Sequence, residues 1–245
     1  MAKYWLYPFK GMSYLVWTNL FWREATLIFL IYISKFVLIA ILYYLVLFPF
    51  VLGINTVLLG PLGVTVAVVH SVLQVNLYAS NLTRLSGFEY ATIMFEKLVD
   101  SRADHVALVS LIYLPAVQPM IVKPQRHWSK SIPIFIIKTA IRLANYFCLF
   151  VISMIPIVGI LMVKFLRSGV IGYQYSMPYL AMQNPLQLRA GDVFYRELGK
   201  YIAFGISSGL LEVLPVFSGL NIVSSYLGRG LWLLDETRTV QSGHS

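Results

Sequence analysis

The sequence contains little cysteine and little charge. Cys148 is the single cysteine among 245 residues, so an intramolecular disulfide and a zinc site built from several thiolates are both excluded. Charged residues make up 12% of the chain, about half of what soluble domains carry, whereas 58% of the residues are hydrophobic. This balance excludes an ordinary soluble domain and indicates an integral membrane protein.

The sequence also lacks the short motifs of common enzymes. It contains no Walker loop, dinucleotide fingerprint or histidine–glutamate metal spacing. We therefore expect a protein that is not an enzyme and that binds no cofactor or metal ion. The net charge of +9 predicts anionic lipid headgroups as partners rather than nucleic acid, because the chain is so hydrophobic.

Two apolar runs are long enough to cross a bilayer. Residues 25–52 are interrupted by one charge, Lys35, and residues 61–79 contain His70 as their only potential charge. A bilayer core of about 30 Å requires about 20 helical residues, so each run predicts a transmembrane helix. The uncharged, glycine-bounded segment 53–60 predicts the turn that connects the two helices.

The residues that follow are polar and then basic. Ser86 and Glu89 have the spacing of a capping box, which predicts the start of a surface helix. The basic residues further along the chain predict contacts with anionic headgroups on the cytosolic face of the membrane. These predicted membrane-surface cations are Lys123, Arg126, Lys130, Lys138, Arg142, Lys164, Arg167 and Arg229.

The second half of the chain repeats one pattern. Pro156 is followed by Gly159, and Pro215 is followed by Gly219, each within an apolar run whose arms are about half a membrane thickness long. Proline ends a helix by removing a backbone donor, and a nearby glycine permits a left-handed reversal. We therefore predict two helical hairpins that penetrate half of the membrane. The alternative is a pair of proline-kinked helices that span it.

The predicted architecture is an all-α integral membrane protein with two long transmembrane helices and two proline-centred, half-penetrating hairpins. If every hairpin enters from one surface, the basic loops share one face. The tips must then pack against protein, other subunits of a homo-oligomer or a hydrated cavity. The single membrane domain comprises an interfacial aromatic segment (1–24), a transmembrane hairpin (25–80), a polar and basic surface region (81–142), hairpin one (143–182), a linker (183–200), hairpin two (201–235) and a tail (236–245).

Glu212 is a candidate functional residue because it lies three residues before Pro215, near the deepest point of the second hairpin. We group it with Asn221 and Lys35 as a candidate intramembrane polar site. Glu212 contributes to a polar pathway, or it is protonated and forms hydrogen bonds with the carbonyls freed by Pro215, or it belongs to a polar pair between helices. Lys35 either pairs with Glu212 or, as we favour, extends to the membrane surface.

Two segments carry a resemblance to a known family. The order IPIVGILMVKFLRSGVIGYQYSMPYLAM, then FYRELGKYIAFGISSGLLEVLPVFSGLNIVSSYLGRGLWLLDE, resembles the C-terminal half of the CysZ-type sulfate permease and etoposide-induced protein family. The opening YPFKGMSYLVWTNLFW is similar to that of fungal members, which include lipid-droplet and outer-spore-wall proteins. The resemblance implies two long transmembrane helices with two half-penetrating hairpins, and it carries no sulfate ligands over to this chain.

Two functions from different classes follow. The first is a non-enzymatic organiser of the endoplasmic reticulum or lipid droplet membrane, with its charged face cytosolic and a role in spore wall assembly. The second is a permease for a small, sulfate-like anion. The expected partners are membrane lipids in both cases, with a small anion in addition if the protein is a permease.

Overall fold

The computed structural model describes residues 2–101, 128–183 and 194–242, and these residues form an all-helical fold. A 3-10 turn at Asn19–Phe21 leads from the N-terminal helices into the first long helix. The helices are α1 (Ala2–Trp5), α2 (Tyr7–Trp17), α3 (Trp22–Val46), α4 (Phe48–Leu59), α5 (Leu62–Ser86), α6 (Phe88–Asp100), α7 (Trp128–Ser153), α8 (Val158–Leu166), α9 (Ser168–Gln183), α10 (Leu198–Leu211) and α11 (Ser218–Ser242).

The first long hairpin is present, but its turn is shorter than the sequence predicted. The segments Asn19–Val46 and Leu62–Ser86 are long and apolar enough to cross a membrane by length and composition. The predicted turn at 53–60 is wrong, because most of this segment belongs to helix α4. The reversal occurs at Gly60, whose φ of 60° favours glycine, and Pro61 then precedes α5.

Both predicted proline turns are present. Pro156 lies between α7 and α8, and Pro215 lies between α10 and α11. The arms of each hairpin run back alongside each other: the Arg167 guanidinium carbon lies 5.8 Å from the Tyr146 ring centroid. In the second hairpin, Tyr201 and Trp232 have ring centroids 6.0 Å apart. The chain therefore reverses at both prolines instead of continuing as two kinked helices.

The predicted role of the two glycines in these turns is wrong. The residue with positive φ in the first turn is Ile157 (φ 60°), whereas Gly159 lies in the first turn of α8. A Cβ at Gly159 would lie 2.0 Å from the Ile152 carbonyl oxygen, so this glycine permits close contact between the two arms. Gly219 similarly lies within α11, where a Cβ would be 2.8 Å from a ring carbon of Phe29.

Several helices extend past the boundaries that the sequence predicted. Helix α7 already begins at Trp128, and α11 continues to Ser242. The predicted capping box is wrong because α5 continues through Ser86, whose hydroxyl donates to the Leu82 carbonyl at 2.9 Å. Helix α6 is not a fully solvated surface helix, since one of its faces is buried in the core.

Close helix crossings depend on small residues. Helix α9 packs on α10 where Gly172 and Gly205 meet the facing backbone, and a Cβ at Gly205 would lie 1.8 Å from the Ser168 carbonyl oxygen. Helix α2 packs on α11 in the same way through Gly11 and Gly228. Small residues that let backbones approach closely are typical of helix packing in membranes.

The outer surface of the helices is largely apolar. In the most hydrophobic window of Asn19–Val46, 17% of the residues are buried. Leucine, isoleucine and valine side chains therefore face outward along α3 and α4, including Leu45 at 75% and Val57 at 86% exposure. A continuous apolar surface of this kind is typical of lipid contact or of a large protein interface.

The α9–α10 crossing generates a stability prediction. Gly205→Leu should lower the free energy of unfolding by about 3 kcal/mol or more, since the added atoms meet backbone that cannot move aside. The thermal midpoint of the purified protein in detergent should fall by roughly 6–12 °C. The matched control is Gly53→Leu, because a Cβ at Gly53 would have nothing within 4 Å of it. Equal thermal midpoints for the two variants would contradict this packing.

Candidate functional site

The candidate site is built around a polar face of α5. This helix was predicted from its apolar residues, yet its interior face carries His70, Gln74, Asn76 and Arg84, all at most 5% exposed. Each of these side chains reaches towards one of the two proline hairpins. Three further buried polar residues lie on α5, namely Ser71, Ser80 and Thr83.

Polar side chains from two helices satisfy carbonyls that the second turn leaves open. Asn76 Nδ2 donates to the carbonyls of Glu212 at 2.8 Å and Val213 at 3.1 Å. Ser218 Oγ lies 2.8 Å from the same Glu212 carbonyl, and Asn221 Nδ2 donates to the Leu211 carbonyl. The turn is therefore held by α5 and by the start of α11, without free backbone acceptors at these positions.

The first turn is held by the same helix. The Ile157 amide donates to His70 Nδ1 at 3.3 Å, next to the positive-φ position of the turn. Gln74 Nε2 donates to Ser153 Oγ at 2.9 Å, at the last residue of α7. Helix α5 thus contacts both hairpins at their tips, through His70 at the first and Asn76, six residues later, at the second.

Glu212 lies at the centre of a buried charged cluster. It is the C-cap of α10 and is fully buried. Arg84 Nη1 donates to Glu212 Oε2, and the Tyr175 hydroxyl donates to Oε1. Lys164 Nζ lies 3.6 Å from Oε2. One carboxylate therefore connects α5, α8, α9 and α10.

Arg84 is held by further polar groups around this carboxylate. Its Nε donates to Gln174 Oε1 at 3.1 Å, and its Nη2 donates to Asn81 Oδ1 at 3.3 Å. The guanidinium is thus oriented on three sides. Among the described residues, the cluster has two cations, Arg84 and Lys164, and one carboxylate, so it carries a net positive charge when all three groups are ionised.

The structure separates the three residues that the sequence grouped as a polar site. Asn221 lies beside the turn that bears Glu212, but its amide binds a backbone carbonyl and not the carboxylate. A pairing of Lys35 with Glu212 is wrong, because Lys35 Nζ donates to the Leu82 carbonyl at 2.8 Å and contacts Ser86 Oγ. The carboxylate of Glu212 also does not bind the freed carbonyls, since asparagine and serine side chains occupy them.

Two predicted membrane-surface cations are instead buried. Lys164 is 5% exposed and faces Glu212, while Arg229 is 2% exposed. The Arg229 guanidinium lies 3.9 Å from the Trp232 ring centroid, and its Nε donates to Ser176 Oγ at 2.7 Å. Each of these cations follows an apolar run, which predicts a surface position, but helix packing turns both of them inward.

The other predicted surface cations have different outcomes. Arg142 is exposed on α7 and Arg167 is half-buried at the C-terminal end of α8. Lys130 and Lys138 belong to helix α7, and the structure describes the backbone alone at these two positions. Lys123 and Arg126 lie outside the described residues.

The far end of the second hairpin is held by charged side chains. Lys200 Nζ lies 2.9 Å from Glu236 Oε1 and 3.2 Å from Glu197 Oε1. Burial opposes the charged form of Lys200, but the hydrogen bonds to these carboxylates outweigh it and raise the pKa of its ammonium above the ordinary value. These contacts join the start of α10 to the last part of α11.

Sequence reasoning missed the most important partner, Arg84. A helix of about 20 residues ends before it, which places it in the polar region after the transmembrane hairpin. A signal for its burial was present: Asn76, Ser80 and Arg84 recur at intervals of four residues, which places polar groups on one face of α5.

The chain is similar to curated fungal proteins. It is 28% identical over 236 residues to the outer spore wall protein LDS1 of Saccharomyces cerevisiae, covering 94% of this chain and 70% of the relative. It is 26% identical over 256 residues to the outer spore wall protein RRT8 of that organism, covering 94% and 71%. It is 24% identical over 243 residues to the outer spore wall protein LDS2 of the same organism, covering 95% of this chain and 68% of the relative.

These relatives agree with one part of the predicted resemblance. They are fungal outer spore wall proteins, whereas kinship with CysZ-type permeases is not shown. No protein-family profile matches the chain, and no solved structure matches it.

The buried cluster predicts a large effect of removing one charge. Glu212→Gln keeps an oxygen for the Tyr175 hydroxyl but leaves Arg84 and Lys164 without a counter-charge. We expect it to lower the free energy of unfolding by roughly 3–5 kcal/mol, measured by thermal or denaturant unfolding of the purified protein in detergent.

The matched control for Glu212→Gln is Glu197→Gln. Its ion pair with Lys200 is partly exposed, since the side chain of Lys200 is 31% accessible and that of Glu197 is 25% accessible. The variant should therefore lower the free energy of unfolding by less than about 1 kcal/mol. Similar losses for the two variants would show that the buried charge of Glu212 is not needed.

Proposed function

We propose that this chain is a non-enzymatic integral membrane protein that organises the endoplasmic reticulum or lipid droplet membrane during spore wall assembly. Its basic face is cytosolic, and its partners are membrane lipids with anionic headgroups. The proposal combines the polarity of the structure with the names of the curated relatives.

The observation that carries the proposal is the inverted distribution of polarity. Arg84, Glu212, Lys164 and Arg229 are buried, while long apolar side chains cover the outside of α3 and α4. In water this arrangement would be costly on both counts, since charges lose hydration and apolar surface remains exposed. In an apolar lipid phase the same arrangement is the expected one.

The positions of the two turns along α5 support half-penetrating hairpins. Helix α5 has 25 residues and is about 37 Å long. His70, which holds the first turn, lies about 12 Å from the start of α5, and Asn76, which holds the second, lies about 21 Å from it. Both turns therefore end at intermediate depth along a helix of spanning length.

The distribution of charge supports insertion from one side. Between Glu24 and Arg84 the sequence carries one charged residue, Lys35, and the Gly60 turn has none nearby. Lys35 contacts the C-terminal end of α5, away from that turn. Because nothing charged has to emerge at the far end, the fold is compatible with the monolayer of a lipid droplet as well as with a bilayer.

The names of the relatives support a role in spore wall assembly. LDS1, RRT8 and LDS2 are outer spore wall proteins by name, and the alignment covers about 94% of this chain in each case. We therefore place the proposed membrane role in assembly of the outer spore wall.

Expression in sporulating S. cerevisiae tests the proposal. A fluorescently tagged chain should colocalise with endoplasmic reticulum and neutral-lipid markers. In cells lacking LDS1, RRT8 and LDS2, it should shift outer spore wall morphology, seen by electron microscopy, towards that of wild-type spores. Gly205→Leu serves as a destabilised control. Diffuse cytosolic fluorescence would contradict the membrane role, and correct localisation with unchanged walls would contradict the role in assembly.

The same membranes test the depth of the hairpins. In a Cys148→Ser background, single cysteines at Ile54, Ile157 and Phe217, all exposed in the structure, should resist a membrane-impermeant maleimide from either side and react in detergent. Ser101→Cys, at the exposed end of α6, should react from the cytosolic side. Reaction of position 157 or 217 from the opposite side would show that the hairpins cross the membrane.

A small-anion permease is the second candidate, and one observation favours it. Lys164 Nζ and Arg229 Nη1 are buried and have no hydrogen-bond partner among the described residues. Buried cationic donors in excess of carboxylates attract anions. Lys164→Met should then reduce sulfate flux into reconstituted vesicles roughly tenfold, which corresponds to a loss of about 1.4 kcal/mol in the free energy of anion binding. Arg142→Gln should leave the flux unchanged. Absence of flux in the wild-type protein would reject this candidate.

A further inference from the structure

A cleft lies between α5 and the first proline hairpin. Its volume is about 260 Å³, close to the lower end of the range of ligand pockets, which is about 300–1,000 Å³. It is separate from the Glu212 carboxylate, which does not line it. Its lining includes Tyr78, Asn81, Tyr146, Phe150, Val163 and Arg167.

The cleft combines apolar walls with one cation. Phe150, Val163 and neighbouring leucines supply aromatic and aliphatic surface, and Arg167 supplies the guanidinium. Arg167 is half-buried, and its guanidinium carbon lies 5.8 Å from the Tyr146 ring centroid. Among the described residues it has no carboxylate within ion-pair distance. Arg167 lies at the C-terminal end of α8, where the helix dipole favours a cation. The dipole does not explain why a cleft with apolar walls surrounds this guanidinium.

The charge behind the cleft wall increases its attraction for anions. Asn81, which lines the cleft, accepts a hydrogen bond from Arg84 Nη2 at 3.3 Å. Arg84 and Lys164 share the single carboxylate of Glu212, so one positive charge behind the wall is not neutralised by described residues. Arg167 adds a second positive charge inside the cleft.

The shape and polarity of the cleft distinguish a lipid from a soluble anion. A free anion would satisfy Arg167 but would leave the aromatic and aliphatic walls uncovered. An amphiphile satisfies both, because its acidic head pairs with Arg167 while the start of its acyl chain covers the wall. The rest of the chain can follow the exposed apolar stripe of α7 that contains Leu143, Phe147 and Val151.

We infer that this cleft binds one anionic lipid, whose carboxylate or phosphate head contacts Arg167. The inference rests on the proposed membrane insertion, since the lipid reaches the cleft from the surrounding lipid phase. It adds a defined lipid site to a protein whose other proposed contacts with lipid are those of its apolar surface and its basic face.

Photo-crosslinking of the full-length protein in mild detergent tests the inference. The probes are a diazirine-bearing fatty acid, a phosphatidic acid and a phosphatidylcholine with the same acyl chain. The two anionic probes should label residues 146–163, mapped by mass spectrometry of peptides, and phosphatidylcholine should label them more weakly. Arg167→Gln should reduce anionic labelling by about tenfold or more, because it removes a charge-assisted contact.

Two further variants make the result specific. Val163→Trp fills the cleft and should reduce labelling by all probes, whereas Arg142→Gln, an exposed cation on α7 outside the cleft lining, should leave labelling unchanged. Thermal unfolding of each variant shows whether it is folded. If Val163→Trp does not fold, Arg167→Gln alone decides the outcome.

Competition separates a lipid from a free anion. Millimolar inorganic phosphate should not displace the anionic lipid probes. Complete displacement by phosphate, or equal labelling of Arg167→Gln and the wild-type protein, would overturn the lipid site. Resistance of the protein to alkaline carbonate extraction is measured in parallel. Extraction into the soluble fraction would reject membrane insertion itself, and thus distinguishes failure of the proposed function from failure of the lipid site.

Discussion

The fold depends on satisfying the backbone groups that two prolines leave without helical partners. The start of a helix leaves backbone amides unpaired and its end leaves carbonyls unpaired, and either group is costly where no water reaches it. Helix α5 meets this requirement at both turns, through His70 at the first and Asn76 at the second. A uniformly apolar α5 could span a membrane equally well, but it would leave the first turn without His70 and the second turn without Asn76.

The same helix sets the relative positions of the hairpins. Arg84 and Glu212 form an ion pair between the last turn of α5 and the second turn, and Lys164 and Tyr175 add contacts from α8 and α9. A buried ion pair adds little net stability compared with well-packed apolar residues. We infer that its main effect here is on specificity, because a different register of the hairpins would leave a charge buried without its partner.

Polarity and topology are linked in this architecture. Burying the charged groups between helices leaves the outer surface to leucine, isoleucine and valine, which suits a lipid environment. Turns that stop partway along α5 require no charged loop on the far side. Both properties are consistent with a protein held from one side of a membrane or monolayer, and both arise from the same buried contacts of α5.

The sequence by itself determined the local features. Composition predicted an all-helical protein, run length predicted the two long helices, and the apolar context of Pro156 and Pro215 predicted the two reversals. These features are local, since proline blocks a helix wherever it stands and an apolar run needs no distant partner. Local signals were less reliable at segment 53–60, where a short uncharged stretch between glycines proved to be mostly helix.

Tertiary structure alone decided which side chains meet. Arg84 and Glu212 are 128 residues apart in the chain, and Asn76 and the Glu212 carbonyl are 136 apart. Hydropathy placed Arg84, Lys164 and Arg229 near the ends of apolar runs, but it could not tell whether they point to lipid, water or protein. That direction depends on which helix faces pack together, and the close approach of backbones at glycines such as Gly205 sets those faces.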